Sequence, residues 1–236
     1  MTIDLDLPEV QDYLPMRIKR IIDLSVSLNQ QTQVYPGDPA VEFSVHSTVE
    51  RDGFNLLTVH MGSQTGTHVD APYHFDDSTA RIDELPLERF MGLGVIVDVS
   101  AAGARGPITW DYIEPAAASI EPGCIVLLHT GWSAHYGTDR YFDHPYLDAE
   151  ACRQLLALGV RTIGIDAINL DETPDESHAG VGFPCHHLIA EAAGVIIENL
   201  TNLAAVTFSH PVISVLPLAF TGADGAPVRA VAIEQE

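Results

Sequence analysis

The densest chemical cluster in the chain is Gln64-Thr-Gly-Thr-His68-Val-Asp70-Ala-Pro-Tyr-His74. His68 and Asp70 are two residues apart, so on an extended segment both side chains leave the same face. Gln64, four before His68, can share that face. An imidazole, a carboxylate and an amide oxygen that converge suit a borderline divalent metal. Gly66 lets the backbone approach closely, and Pro72 stops a regular strand or helix from continuing past the ligands. Beyond that bend, His74 is either a further ligand or a base facing the metal. A second cluster, Cys185-His186-His187 followed by Glu198, has the spacing of a helix and the next strand. His186 and Glu198 could therefore reach a metal from the other side. Tyr35 and Trp132 are candidates for the aromatic wall of a substrate pocket. For each of these side chains the plain alternative is a hydrogen-bonded or core position. The clustering of the histidines, 11 in the whole chain, favours a site.

Other chemistries find less support. Ser133 and Ser209 lack the G-x-S-x-G context of a serine hydrolase. Gly92-Leu-Gly94 is not continued at dinucleotide-binding spacing. The three cysteines, Cys124, Cys152 and Cys185, form no C-x-x-C and read as buried reduced thiols. The chain carries 33 acidic against 11 basic side chains, a net charge of −22. Such a surface repels phosphate backbones and anionic membranes, so neither nucleic acid nor membrane is an expected partner. No apolar run approaches the roughly 18 residues that span a bilayer. The acidic start, Met1 to Met16, has no apolar core of a secretory signal, and a cytoplasmic location is expected. The expected partner is a small molecule, and the surface charge favours a neutral amide, lactone or formamide over a strong anion.

The elements that must position these residues read as mixed α/β. Alternation over residues 21–28, Val41–Val45 and Leu56–His60 predicts half-buried strands. Short apolar runs at Val95–Val99, Ile125–His129 and Val160–Ile165 predict buried ones. Residues 148–158 carry Ala151, Leu155, Leu156 and Leu158 at helical spacing, with Asp148 as N-cap and Gly159 as stop. A second helix is expected over Cys185–Ala193. Strands are expected near Val195–Ile197, Ala205–Phe208, Val212–Val215 and Val228–Ile233. With 46% hydrophobic residues and no linker or repeat, the chain reads as an N-terminal arm, 1–20, and one domain, 21–236.

Gln64-Thr-Gly-Thr-His-Val-Asp-Ala-Pro-Tyr-His74 resembles the H-x-G-T-H-x-D-x-P-x-H signature of the Putative cyclase family, which includes bacterial kynurenine formamidases and isatin hydrolases. The resemblance continues at Tyr35-Pro-Gly-Asp38, Thr130-Gly-Trp132, Gly164-Ile-Asp166 and His186…Glu198-Asn-Leu-Thr-Asn-Leu203. It implies a swivelling β/β/α fold with a mixed sheet and a homodimer or homotetramer. It also implies metal-dependent hydrolysis of a C–N bond in a formamide or cyclic amide. His68 and Asp70 fall on metal ligands, His74 on the catalytic histidine, and His186 and Glu198 on the pair completing a second metal site or a relay. Tyr35 falls where formamidases place an aromatic residue beside the substrate. Gln64 departs from the signature histidine. Its harder amide oxygen shifts the expected metal from Zn²⁺ toward Mn²⁺. The same activated water would serve a lactone hydrolase or a cyclase. A metal-binding relative without catalysis is the non-enzymatic alternative.

Overall fold

The computed structural model describes residues 17–180 and 182–236. Short β-rich apolar runs account for most of the order. In chain order the strands are β1 (Ile18–Asp23), β2 (Glu42–Ser47), β3 (Leu56–His60), β4 (His68–Asp70), β5 (Met91–Asp98), β6 (Pro107–Ile108), β7 (Ile125–His129), β8 (Tyr146–Leu147), β9 (Thr162–Ile165), β10 (Val195–Glu198), β11 (Val212–Ser214), β12 (Gly225–Pro227) and β13 (Val231–Gln235). The helices are α1 (Val49–Asp52), α2 (Trp110–Ile113), α3 (Ala149–Ala157) and α4 (Pro184–Glu191).

Among the described residues, nine strands form one sheet in the order β1-β13-β11-β5-β7-β9-β10-β4-β12. Its centre, β5-β7-β9-β10, is parallel, and antiparallel strands flank it. The central strands are apolar on both faces, as parallel strands covered on two sides must be. One face packs Val126, Leu128, Ile163 and Ile165 against Leu155 of α3 and Ile189 of α4. The other packs Leu127 and Ile197 with Leu24, Phe90, Leu200 and Ile213. The result is a single mixed α/β domain.

Helix α3 forms as its sequence dictates. The Asp148 carboxylate accepts from the backbone N–H groups of Glu150 and Ala151, Ala151 and Leu155 are buried, and Gly159 follows at φ +88°. Three expectations change. The first strand begins at Ile18, inside the expected 1–20 arm, whose residues 1–16 lie outside the described residues; it ends at Asp23 rather than 28. No strand forms over Ala205–Phe208. Asn202 takes a left-handed φ of +57°, and the chain closes a 3-10 turn at Leu203–Ala205 instead. Strands β2 and β3 pair with each other and not with the main sheet. All of β3 is exposed rather than half-buried, because among the described residues it pairs with β2 alone and not with the main sheet.

The sheet topology sets up the site. Strand β4 lies between β10 and β12, with His68 opposite Glu198 and Asp70 opposite both Ile196 and Gly225.

Candidate active site

Cross-strand register places His68 and Glu198 side by side, and the period of two puts Asp70 on the face of His68. Helix α4 brings His186 over them. His68 Nε2 stands 3.3 Å from Asp70 Oδ1 and 3.6 Å from Glu198 Oε2. His186 Nε2 stands 3.6 Å from Asp70 Oδ2 and 3.5 Å from Glu198 Oε1. All four residues are buried. Ligand atoms of His68, Asp70 and Glu198 lie within 4.8 Å of one another. The strand cluster and the helix cluster of the sequence are therefore one constellation.

Three of the four groups are held from behind. His68 Nδ1 donates to the Gly66 carbonyl at 2.8 Å. Gly66 has φ +66°, and a Cβ there would sit 2.4 Å from Leu28 Cδ2, so glycine is required at this turn. His186 Nδ1 donates to Asp171 Oδ2 at 2.7 Å. The same carboxylate accepts from the backbone N–H groups of Cys185 and His186, both at 3.0 Å, and so caps the start of α4. Glu198 Oε1 accepts from Leu170 N–H at 2.7 Å. Both Nε2 atoms are thereby turned inward, the usual way an outer carboxylate or carbonyl sets a ligating histidine.

The donor set fits a divalent metal. Asp70 Oδ1 and Gln64 Oε1 are buried without a hydrogen bond. Two carboxylates out of water cost several kcal/mol each unless positive charge meets them. In the protein alone that charge is protons. Burial opposes charging His68, yet Asp70 and Glu198 raise its pKa to about 10. Burial likewise opposes a charged His186, and Asp171, Asp70 and Glu198 raise it well above the ordinary value. Burial pushes the Asp70 and Glu198 carboxyls up, but the two histidines hold both below the usual range. A cation would use the same two Nε2 atoms and satisfy the same oxygens.

The rim of the site is wetter. A cleft of about 400 Å³ opens over the cluster, lined among others by Tyr35, Asp38, Gln64, His74, Phe75, Asn169, Phe183 and Asp224. His74 Nδ1 lies 3.1 Å from Asp224 Oδ2, and Gln64 Nε2 donates to the same oxygen at 2.8 Å. Burial lowers the His74 pKa, but Asp224 and Asp70 carry it above the ordinary value. Burial and the Glu198 charge push the Tyr35 hydroxyl up. Phe75 packs on His186 with ring centroids 4.4 Å apart and on Phe183 at 5.2 Å. A larger groove, about 780 Å³, runs over β5 and residues 206–211, but among the described residues no metal-ligating cluster faces it.

Trp132 is not part of the cleft. It lies in the core, its Nε1 donating to the Arg140 carbonyl, so the aromatic wall is made by Tyr35, Phe75 and Phe183. Asp166 is also elsewhere: it accepts from Thr130 N–H, Thr130 Oγ1 and Gly131 N–H and pins the turn after β7. Sequence reasoning missed Asp171 and Asp224. Neither stands in a motif, and each meets its histidine only through the fold.

The profile of the Putative cyclase family matches residues 22–172. The chain belongs to this family. A kynurenine formamidase from Bacillus cytotoxicus is 34% identical over 218 residues, 92% of this chain and 98% of that protein. Isatin hydrolase A from Labrenzia aggregata, bound to benzyl benzoate, superposes with a TM-score of 0.83 at 25% identity, covering 92% of this chain and 94% of that one. A predicted metal-dependent hydrolase from Bacillus stearothermophilus gives 0.74 at 25% identity, covering 91% and 98%. The cyclase-family fold of this chain is thus shared along nearly its whole described length.

Proposed function

We propose that this chain is a metal-dependent amidohydrolase that cleaves a C–N bond in a formamide or cyclic amide. One observation carries the reading: two inward-facing imidazoles and two buried carboxylates, one with an unpaired oxygen, converge beneath an aromatic cleft. The kynurenine formamidase and isatin hydrolase relatives support the bond type. His68, Asp70, His186 and Glu198 hold the metal, and Gln64 Oε1 is a further ligand candidate. A bound divalent cation supplies Lewis acidity toward the carbonyl and makes water a stronger acid. We assign it as Mn²⁺ or Zn²⁺, with the amide of Gln64 tilting the set toward Mn²⁺.

The remaining work falls to the protein. His74 takes a proton from the attacking water as the new C–O bond forms, and returns it to the nitrogen as the C–N bond breaks. Tyr35, Phe75 and Phe183 hold the planar part of the substrate and exclude water. The acidic rim, with Asp38 and Asp224, disfavours a strongly anionic substrate. Assembly as a homodimer or homotetramer is part of this reading. The exposed Val45, Phe54, Leu56, Leu57 and Val59 on and beside the β2–β3 ribbon support it, because an uncovered two-stranded ribbon is marginal in water. The three free, buried cysteines agree with a cytoplasmic location.

A pH-stat assay tests the reading. N-formyl aryl amines, isatin-like lactams, cyclic imides and lactones all release acid when opened. Turnover of an amide that chelator removes and Mn²⁺ or Zn²⁺ restores is the expected result. Turnover confined to lactones would move the assignment to a lactone hydrolase. Full metal occupancy with no turnover across the panel would contradict catalysis.

A further inference from the structure

The hydrolase reading leaves open what holds His74, the least buried of the functional histidines. Asp224 meets it from the opposite rim. Its Oδ2 lies 3.1 Å from His74 Nδ1 and 2.8 Å from Gln64 Nε2, and its Oδ1 accepts from Ser63 Oγ at 2.8 Å. An ionised carboxylate only accepts, so these contacts fix two assignments. His74 carries its hydrogen on Nδ1, which leaves the Nε2 lone pair free. Gln64 presents its nitrogen to Asp224, which turns Oε1 away.

The backbone sets this geometry. Ala71 N–H donates to the Asp224 carbonyl at 2.8 Å, and His74 N–H donates to the Ala71 carbonyl at 2.9 Å. Gly225 pairs with Asp70 across β12 and β4. A Cβ on Gly225 would lie 2.6 Å from Gln64 Nε2, so the amide packs directly on that backbone. The strand that carries Asp70 and the strand behind Asp224 are therefore locked in register, and the rim pair inherits that register.

We infer that Asp224 is a positioning residue that, with Gln64 and Ser63, holds His74 in the Nδ1–H tautomer and leaves Nε2 free for proton transfer. The inference rests on the proposed hydrolysis through His74, and the experiment separates the two. Turnover and metal content are measured for His74→Ala, Asp224→Asn and the double variant. Asp224→Asn should lower kcat by about 10- to 10³-fold, because the neutral amide no longer favours one tautomer. KM should move less than about twofold and metal content should not move. In the His74→Ala background, Asp224→Asn should cost nothing further, because groups that act as one unit are non-additive. Losses that multiply, or a loss of metal, would overturn the inference. Unchanged turnover in His74→Ala would instead overturn the reading on which it rests. A second readout needs neither activity nor a variant. Long-range ¹H–¹⁵N NMR of the zinc-loaded wild type, at a pH where the ring is neutral, should show His74 protonated on Nδ1. Protonation on Nε2 would overturn the inference.

Discussion

Two histidine–carboxylate clusters face one cleft, and they differ in burial and in satisfaction. The side chains of His68, Asp70, His186 and Glu198 are 4–7% exposed, whereas His74 and Asp224 are 31% and 32% exposed. In the inner cluster Asp70 Oδ1 makes no hydrogen bond, and its neighbour His68 Nε2 stands at 3.3 Å. In the rim cluster both Asp224 oxygens have donors. The same residue types are thus tuned for different tasks. Burial with an unmet acceptor suits positive charge, a proton or a cation, while partial exposure with a satisfied carboxylate suits a histidine that moves a proton. A fourth histidine, outside both clusters, isolates the effect of burial. His144 is 1% exposed, donates from Nδ1 to the Pro145 carbonyl and accepts at Nε2 from Thr173 Oγ1. No carboxylate bonds it, and burial lowers its pKa to about 4, whereas the equally buried His68 stands at about 10.

The contrast can be broken by substitution. Asp70→Ala should have the largest effect, emptying the inner cluster of metal and abolishing turnover; elemental analysis of the purified variant reads the first and the pH-stat the second. Retained metal and rate would remove Asp70 from the centre. His74→Ala should leave metal content intact and lower turnover by about 10²–10⁴, the range of general acid–base help. Metal lost along with rate would make His74 a ligand and erase the division between the clusters.

His144 sharpens the comparison through stability. Its folded pKa lies below its unfolded one, so the unfolded chain takes the proton first. The stability it contributes is full above about pH 6.5 and is lost as pH falls toward 4, by up to about 3 kcal/mol. Urea unfolding of wild type and His144→Gln at pH 7 and pH 4.5 measures this. The variant should lose less stability than wild type between the two, and equal losses would contradict the assignment. The smallest effect is expected outside the ligands. Asp171→Asn keeps an acceptor for α4 but weakens the hold on His186, and should lower metal affinity by about 10- to 100-fold. Competition with a chromophoric chelator reads the change, and unchanged affinity would leave Asp171 as a helix cap only.

The sequence exposed the inner cluster better than the rim. His68 and Asp70 share a face because strands have a period of two, and that is visible in three letters. His186 and Glu198 were separable as helix and strand from local apolar spacing. Asp171 and Asp224 were not visible. Each is one of 33 acidic residues, in a turn-like context, and its partner is 15 or 150 residues away. The same limit explains the fold. Helix α3 announces itself through Asp148 and its apolar stripe, a local signal. Strand β3 shows alternation but is exposed throughout, since burial depends on which layer arrives to cover it. Trp132 looked like a pocket wall because aromatic type does not tell core from cleft.

The most direct test of the central claim is anomalous diffraction from crystals grown with Mn²⁺ or Zn²⁺. The account predicts a peak between His68 Nε2, His186 Nε2, Asp70 and Glu198, at about 2.0–2.2 Å from its ligands, with His74 bonded to Asp224 and not to the metal. A peak coordinated by His74, or none at the inner cluster, would contradict the division between a cation site and a proton carrier.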